Sequence, residues 1–400
     1  MTTYNFDKIT NRKGTNCLKY DFAVERGKPA DVLPLWVADM DFPVSEEITK
    51  SLHAAVEHGI YGYTQPKDAY YNAVMNWMER NHNWKTEREW IVKTPGVVFA
   101  LGAAVKAFTD PGDAILIQNP VYYPFTNIIR DNDRRVVDNT LIYEKTAGQS
   151  GDNGYRIDFE DFERKLEQEH IKLFILCNPH NPVGRVWTRE ELQQLGEICL
   201  RHHVIVVSDE IHNDFVYPGY EHTVFATVDP RFAEFTVTCT APSKTFNLAG
   251  LQISNIFIPN EKLRKAFQTE IDKTGYDEPN ALGIVACEAA YRAGEDWLDQ
   301  LRAYLLKNLN FLRNFLQEKI PQIHLVEPEG TYLVWLDCSQ LGITGKELDQ
   351  FIVDKAGLWL DGGSMFGPSG AAFQRVNIAC PQATLELALN KLKAAVDNLK

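Results

Sequence analysis

Long apolar runs and an excess of basic residues are both missing from this 400-residue chain. No stretch approaches the roughly 20 apolar residues of a membrane-spanning helix. The first residues, MTTYNFDKITNRK, also lack the basic and apolar pattern of a secretory signal. We therefore expect a cytoplasmic protein without membrane contact. The net charge of −13 argues against a nucleic-acid partner, because phosphate-backbone sites are built on clustered Lys and Arg.

Closely spaced cysteines are the second absence. The seven cysteines are widely scattered, with no CxxC pair and no Cys/His pair at the spacing of metal ligands. We expect free, mostly buried thiols and no metal site. Hydrophobic residues make up 44% and charged residues 24%, as in ordinary globular proteins. The length predicts about two or three domains, and we expect two.

From about residue 90 the sequence alternates between short apolar runs and amphipathic runs. This alternation is typical of βαβ units, in which parallel strands are covered on both faces. Thr188 and Glu191 form a capping box that opens a helix running to about His203. The predicted core strands are 91–93, 114–118, 173–177, 204–208, 235–239 and 253–258.

The last third of the sequence has a different hydrophobic pattern. Helical patterns cover 280–293 and 296–318, and a smaller mixed segment follows. In that segment we predict strands at 332–336 and 375–378 and helices near 345–356 and 384–399. The predicted division is a large α/β domain at 46–286 and a small α+β domain at 287–400. Residues 1–45 are expected to pack on the small domain or on a partner subunit.

Distinctive clusters follow the predicted strands at their carboxyl ends, where open α/β sheets bind ligands. Gly96, Val97 and Val98 come between a strand and a helix, so their backbone N–H groups could face an anion. An ordinary strand-to-helix turn is the alternative. Tyr122 follows the next strand, where an aromatic ring either stacks on a flat cofactor or packs in the core.

Two further clusters follow later strands. Asn181 lies in the loop 178–184, where two Asn-Pro steps favour an extended turn, and its amide is suited to hold a phenolate oxygen. Asp209 and His212 follow the apolar run VIVV. An aspartate at this point is either a helix cap or a partner for a protonated ring nitrogen.

Lys244 provides the strongest signal. It lies in the loop 241–252, which is rich in Ser, Thr, Asn and Gly and directly follows a predicted strand. A lysine between two apolar segments is partly desolvated, which lowers its pKa and favours the neutral amine that attacks an aldehyde. A solvated surface lysine is the alternative.

The order and spacing of these five motifs resemble fold-type I pyridoxal-phosphate enzymes of the class I/II aminotransferase superfamily, over nearly the whole chain. The resemblance implies an aminotransferase-like large domain with a mainly parallel central sheet and a smaller α+β C-terminal domain. It implies pyridoxal 5'-phosphate as the cofactor, joined to Lys244 as a Schiff base. Asp209 would then pair with the pyridinium nitrogen, Asn181 would hydrogen-bond the ring hydroxyl and Tyr122 would stack on the ring.

The same resemblance assigns the phosphate and the substrate. Gly96, Val97, Val98 and Ser243 would hold the phosphate, and Arg375 in the segment FQRVNIA would bind the substrate α-carboxylate. In such enzymes the cofactor is the electron sink and the released lysine is the base that removes the Cα proton.

Two departures from the plain aminotransferase pattern narrow the resemblance. Gln252 stands eight residues after Lys244, where that pattern usually has Arg, and His212 stands where it usually has Tyr. These two residues, together with the segments LPLWVADMDFP and SDEIHNDF and with Tyr63 in YGY, resemble the MalY/PatB group of cystathionine β-lyases, which are also called C–S lyases. This implies a homodimer in which Tyr63 contacts the phosphate in the neighbouring subunit. His212 is interpreted as a neutral donor to the ring oxygen, with a packing histidine as the alternative.

The reaction expected from this resemblance is cleavage of the Cβ–S bond of cystathionine or a related cysteine S-conjugate, a small-molecule sulfur amino acid. The products are pyruvate, ammonia and a thiol. A class I/II aminotransferase is the alternative, and a regulatory protein that keeps the fold and the cofactor is a third candidate. The intact set of Lys244, Asp209, Asn181 and Arg375 argues against the third. The pathway, methionine synthesis or breakdown of cysteine conjugates, does not follow from the sequence.

Overall fold

The computed structural model describes residues 3–145 and 153–399. The α-helices are α1 (Glu46–His58), α2 (Asp68–His82), α3 (Val97–Phe108), α4 (Pro124–Asp131), α5 (Phe159–Gln168), α6 (Arg189–Arg201), α7 (Pro242–Thr245), α8 (Glu261–Asp272), α9 (Ala281–Ala293), α10 (Glu295–Lys319), α11 (Gly345–Asp354) and α12 (Gln382–Asp397). The strands are β1 (Leu33–Pro34), β2 (Ile91–Thr94), β3 (Ala114–Ile117), β4 (Arg135–Asp138), β5 (Ile142–Tyr143), β6 (Tyr155–Arg156), β7 (Leu173–Cys177), β8 (Ile205–Asp209), β9 (Thr236–Thr240), β10 (Ser254–Phe257), β11 (His324–Val326), β12 (Leu333–Asp337), β13 (Leu358–Trp359), β14 (Asp361–Gly362) and β15 (Phe373–Asn377).

Seven strands form the central sheet, in the order β2-β10-β9-β8-β7-β3-β4. Strands β9, β8, β7, β3 and β4 are parallel, whereas β10 is antiparallel to both of its neighbours. Every residue of β3, β7 and β9 is buried, as expected for strands with helices on both faces. The six predicted core strands are all present, and no end is shifted by more than one residue.

Strand β4 was not predicted. Its sequence is RVVD, and only its second valine is buried. At the sheet edge this short, half-polar run lacks the continuous apolar signal of the inner strands. Helix α6 was predicted correctly by its capping box. The Thr188 hydroxyl accepts from the Glu191 N–H at 3.2 Å, and the Glu191 carboxylate accepts from the Thr188 N–H at 2.9 Å.

A second, antiparallel sheet has the strand order β11-β12-β15-β14. The predicted strands 332–336 and 375–378 correspond to β12 and β15, and the four predicted helices correspond to α9, α10, α11 and α12. Strands β11, β13 and β14 have only two or three residues each, too few to show a periodic pattern. The domain limits after residues 45 and 286 stay predictions.

The N-terminal segment runs along the second sheet and reaches the carboxyl edge of the central sheet. Strand β1 pairs in parallel with β13, Leu33 opposite Leu358. The Asn377 side-chain amide donates to the Val37 carbonyl at 2.7 Å and to the Asp39 carbonyl at 2.6 Å. These bonds hold the backbone around Ala38 in a defined position above β9.

Three expected absences can be compared with the structure. All seven cysteines are free, and all but the half-buried Cys17 are buried. Within residues 3–145 and 153–399, no group of three His, Cys, Asp or Glu side chains is arranged to hold a metal ion. No helix in the same ranges is long and apolar enough to cross a membrane.

Candidate active site

The carboxyl ends of β3, β7, β8 and β9 meet the start of α3 around a cavity of about 180 Å³. Parallel strands end at one edge of the sheet, so motifs far apart in sequence meet there. Nine of the eleven predicted site residues line this cavity: Gly96, Val97, Val98, Tyr122, Asn181, Asp209, His212, Ser243 and Lys244. Of the remaining two, Arg375 contacts a lining residue, and Tyr63 lies elsewhere.

The start of α3 lines part of the cavity. Gly96 is the N-cap, and the first helical hydrogen bond runs from the Ala100 N–H to the Gly96 carbonyl at 3.1 Å. The N–H groups of Val97 and Val98 therefore have no partner within the helix. A Cβ atom placed on Gly96 would meet only open space. Unpaired amides and the positive end of a helix dipole together favour a phosphate group.

Asp209 is a buried carboxylate without a cationic partner among the described residues. It is 4% exposed, and among the described residues its side chain accepts one hydrogen bond, from the Ile211 N–H at 3.2 Å. Burial raises its pKa to about 7, although the Lys244 charge acts in the opposite direction. A protonated ring nitrogen placed here would supply the missing positive charge.

Two neutral side chains offer hydrogen bonds to a ring oxygen. Asn181 Oδ1 accepts from Arg375 Nη1 at 3.0 Å, and in the described part of the chain Asn181 Nδ2 has no acceptor. His212 is 3% exposed, and its Nδ1 is buried without a partner. Burial lowers the pKa of His212 far below its ordinary value, and the charges of Lys244 and Arg375 lower it further. The predicted neutral state of His212 is therefore consistent with its surroundings.

Lys244 lies in the short helix α7, directly after β9. Its Nζ donates to the Ala38 carbonyl at 2.7 Å, and the Tyr332 hydroxyl donates to the same oxygen at 3.0 Å. Burial lowers the pKa of Lys244 to about 8, and the Arg375 charge adds to this effect. The amine is thus neutral at much lower pH than an ordinary lysine.

This pKa predicts how the cofactor-free protein captures pyridoxal 5'-phosphate. The rate of covalent capture should reach half its maximum near pH 8, because only the neutral amine attacks the aldehyde. An ordinary lysine would be only about 0.3% neutral at that pH. Stopped-flow absorbance between pH 6 and pH 11 measures the profile. A rate that keeps rising tenfold per pH unit beyond pH 9 would contradict the assignment.

Arg375 lies in β15, beside the cavity rather than on its lining. The residue is 3% exposed. One Nη donates to Asn181, and the other donates to the Trp36 carbonyl at 2.8 Å and pairs with Asp361. Its Nε is buried and has no partner. The guanidinium therefore has one N–H without a partner among the described residues.

Tyr63 does not contact the cavity of its own chain. It is 95% exposed, and it lines a separate, open cavity with residues 278–282. Its predicted contact with a neighbouring subunit stays a prediction. Gln252 is exposed at the end of the turn 249–251, and the residues lining the cavity near it are Ala249 and Ile253.

Two features of the site were missed by the sequence reasoning. The Ala38 carbonyl binds the Lys244 amine, and Asp361 pairs with Arg375. Every residue has a backbone carbonyl, so the sequence does not indicate which carbonyl contacts Lys244. The segment LPLWVADMDFP, which contains Ala38, was used only for its resemblance to the MalY/PatB group. Asp361 sits opposite Arg375 in the register of β14 and β15. Because β14 has two residues, no strand pattern indicated this pairing.

The fold and the site together define an aminotransferase-like chain of fold type I. The chain belongs to the family of class I and II aminotransferases, whose family model matches residues 30–392. It is 46% identical to the cystathionine beta-lyase PatB of Bacillus subtilis (strain 168), over 98% of this chain and all of that protein. It is 31% identical to protein MalY of Escherichia coli (strain K12), over 96% of each.

A solved crystal structure is also similar to this chain. Cystalysin from Treponema denticola, whose crystal structure contains pyridoxal 5'-phosphate, matches with a TM-score of 0.95 and 38% identity over the full length of both chains. The predicted family and fold class are confirmed.

Proposed function

We propose that this protein is a pyridoxal-phosphate-dependent C–S β-lyase, which cleaves cystathionine or related cysteine S-conjugates to pyruvate, ammonia and a thiol. One observation supports the proposal: the Lys244 amine, the unpaired Asp209 carboxylate and the start of helix α3 line the same cavity. The similarity to PatB, a cystathionine beta-lyase, supports the choice of reaction.

The residues present fit the cofactor at each of its polar groups. The amides of Val97 and Val98 and the Ser243 hydroxyl would hold the phosphate, since all three residues line one cavity. Asp209 would pair with the ring nitrogen, and Asn181 Nδ2 would donate to the ring oxygen. When bound, the cofactor supplies an aldehyde for an amine and a ring that withdraws electrons from Cα.

The neighbours of this ring complete its environment. Tyr122 lines the cavity and is half-buried, which suits a ring that stacks on the cofactor. His212 is neutral and its Nδ1 is free to hydrogen-bond, so it adds no charge beside the ring oxygen. We propose these two residues as cofactor contacts.

Asp209 keeps a proton on the ring nitrogen. Burial destabilises a lone carboxylate here, so its pKa rises to about 7. A protonated ring nitrogen beside it would offset part of this cost, because opposite charges attract strongly in a low-dielectric site. The carboxylate would therefore favour the protonated form of the ring nitrogen.

Lys244 moves the proton at Cα. With a pKa of about 8, roughly a fifth of the released amine is neutral at about pH 7.4 and able to accept a proton, far more than for an ordinary lysine. The Ala38 carbonyl and the Tyr332 hydroxyl lie next to it and define its position. Arg375 would bind the α-carboxylate and so orient the Cα–H bond toward Lys244.

The choice between β-elimination and amino transfer can be tested directly. We expect the purified protein to form pyruvate and homocysteine from L-cystathionine at the same rate with and without an added 2-oxo acid. Pyruvate, ammonia and thiol release are measured together. A requirement for the 2-oxo acid would establish the aminotransferase alternative. No turnover of any amino acid by cofactor-loaded protein would favour a regulatory role.

We also propose a homodimer with shared sites. Val56, Ile60, Tyr61 and Tyr63 are 51%, 72%, 60% and 95% exposed within eight residues of chain. Such a run of exposed apolar side chains marks a protein interface. A second copy of the chain would cover it and receive the Tyr63 hydroxyl at its phosphate. A cytoplasmic location and a place in methionine synthesis are part of the same proposal.

Tyr63→Phe tests the shared site. Loss of a hydrogen bond to a charged phosphate should weaken cofactor binding by about 10- to 100-fold. Equilibrium dialysis measures the affinity, and sedimentation measures the oligomer. Tyr61→Phe, two residues away and also exposed, is the matched control and should bind the cofactor normally. Equal affinity in both variants would refute the contact.

A further inference from the structure

A second cavity of about 240 Å³ lies beside the cofactor cavity. At two places in the sequence, residues one or two positions apart line different cavities. Tyr122 lines the first cavity and Tyr123 the second, with ring centroids 5.6 Å apart. Ala38 lines the first and Trp36 the second. Two short segments of the chain therefore contribute residues to both cavities.

Arg375 connects the two cavities. Its Nη1 donates to Asn181, which lines the cofactor cavity, and its Nη2 pairs with Asp361, which lines the second cavity. A substrate that bound Arg375 by its α-carboxylate would therefore lie next to a residue that contacts the linings of both cavities.

Carboxylates form one part of the second cavity. Asp349 Oδ1 accepts from Gln374 Nε2 at 2.7 Å. Among the described residues, Asp349 Oδ2 and Asp361 Oδ1 accept no hydrogen bond. Both carboxylates line the same cavity. Burial raises the pKa of Asp361; the Arg375 charge opposes this rise and the Asp349 charge adds to it. A cation placed between them would be stabilised.

Two cations form another part of the lining. The Arg26 guanidinium lies 5.2 Å from the centre of the Trp36 ring, and Trp36 in turn stacks on Trp359 at 4.4 Å. Lys28 lines the same cavity. In the described part of the chain neither Arg26 nor Lys28 forms an ion pair with a carboxylate. The apolar wall between the charged groups includes Ile352, Val353 and Leu360.

We propose that this second cavity is the subsite for the distal α-amino acid of the substrate, the part that leaves as the thiol. Its ammonium group binds Asp349 and Asp361, its carboxylate binds Arg26 and Lys28, and its methylenes lie on the apolar wall. This proposal rests on the proposed lyase function. It makes cystathionine a better substrate than an S-alkyl cysteine of the same length.

Kinetics with two substrates test the subsite. We expect Asp349→Asn to lower kcat/KM for L-cystathionine by about tenfold, mainly through KM, because a hydrogen-bonded charge pair is lost. S-butyl-L-cysteine, which lacks the distal charges, should change by less than about twofold. Arg26→Gln should show the same selectivity. Asp354→Asn, an exposed carboxylate at the end of the same helix, is the matched control for both substrates.

Equal losses for both substrates, or no loss for cystathionine, would overturn the subsite. Failure of the lyase proposal is a separate result, in which wild-type protein releases pyruvate from neither compound. In that case the subsite can still be tested by calorimetry, with both compounds titrated into the cofactor-loaded Lys244→Ala protein. The subsite is supported if cystathionine binds more tightly than S-butyl-L-cysteine and if the added substitution Asp349→Asn removes this difference. Equal binding of the two ligands refutes it.

Discussion

Replacing Lys244 with Ala should abolish the visible absorbance of lysine-bound cofactor and lower kcat for cystathionine by about 10⁴-fold or more. No other amine lines the cofactor cavity in the described ranges, so no neighbour can replace it. The loss combines two effects. The cofactor loses its covalent attachment, and the Cα proton loses the base that accepts it.

Lys262→Ala is the matched control, because Lys262 is exposed on α8, away from the cavity. It should keep both the absorbance and the rate. Absorbance spectra and single-turnover kinetics of the two variants are compared at equal cofactor loading. Turnover above about 1% of wild type in Lys244→Ala would show that another group removes the proton.

Replacing Asp209 with Asn should have opposite effects on activity and on the stability of the cofactor-free protein. Breaking a buried pair costs about 3–5 kcal/mol, so kcat should fall by about 10²- to 10⁴-fold once the ring nitrogen loses its counter-charge. Asparagine has nearly the same size and can still accept from the Ile211 N–H, so packing around the ring is preserved.

The stability effect follows from the sign of the pKa shift. The folded-state pKa of Asp209 is raised from 3.8 to about 7. The folded protein therefore binds a proton more tightly than the unfolded chain, and stability is lost as pH rises from about 4 to 7. Asparagine does not titrate, so its contribution to the free energy of unfolding does not change with pH. Cofactor-free Asp209→Asn should thus gain up to about 4 kcal/mol over wild type across this range.

Urea unfolding of the cofactor-free proteins at pH 5 and pH 8 measures this difference. Asp214→Asn is the control with the opposite sign. Burial acts to raise the pKa of Asp214, but hydrogen bonds from His82 and Thr245 lower it overall. The ionised Asp214 carboxylate therefore stabilises the folded protein at both pH values, and Asp214→Asn should lower the free energy of unfolding at both. A pH-independent difference between wild type and Asp209→Asn would contradict the assigned pKa.

Local patterns in the sequence predicted six of the seven strands of the central sheet and, together with the family resemblance, most of the residues that line the cofactor cavity. The inner strands are continuous apolar runs because both of their faces are covered, and polar residues mark where each strand ends. Asn181, Asp209 and Lys244 each follow such a strand. Parallel pairing then brings these strand ends to one edge, whatever their separation along the chain.

Only the tertiary structure decided which groups surround these residues and how they are charged. The Ala38 carbonyl meets Lys244 across 206 positions, and Arg375 meets Asn181 across 194. No periodic pattern encodes contacts of this kind, because they depend on how the N-terminal segment and the second sheet pack on the first. Burial sets the pKa values near 7 for Asp209 and 8 for Lys244. The second cavity, with Asp349 and Arg26 on its lining, likewise exists only after this packing.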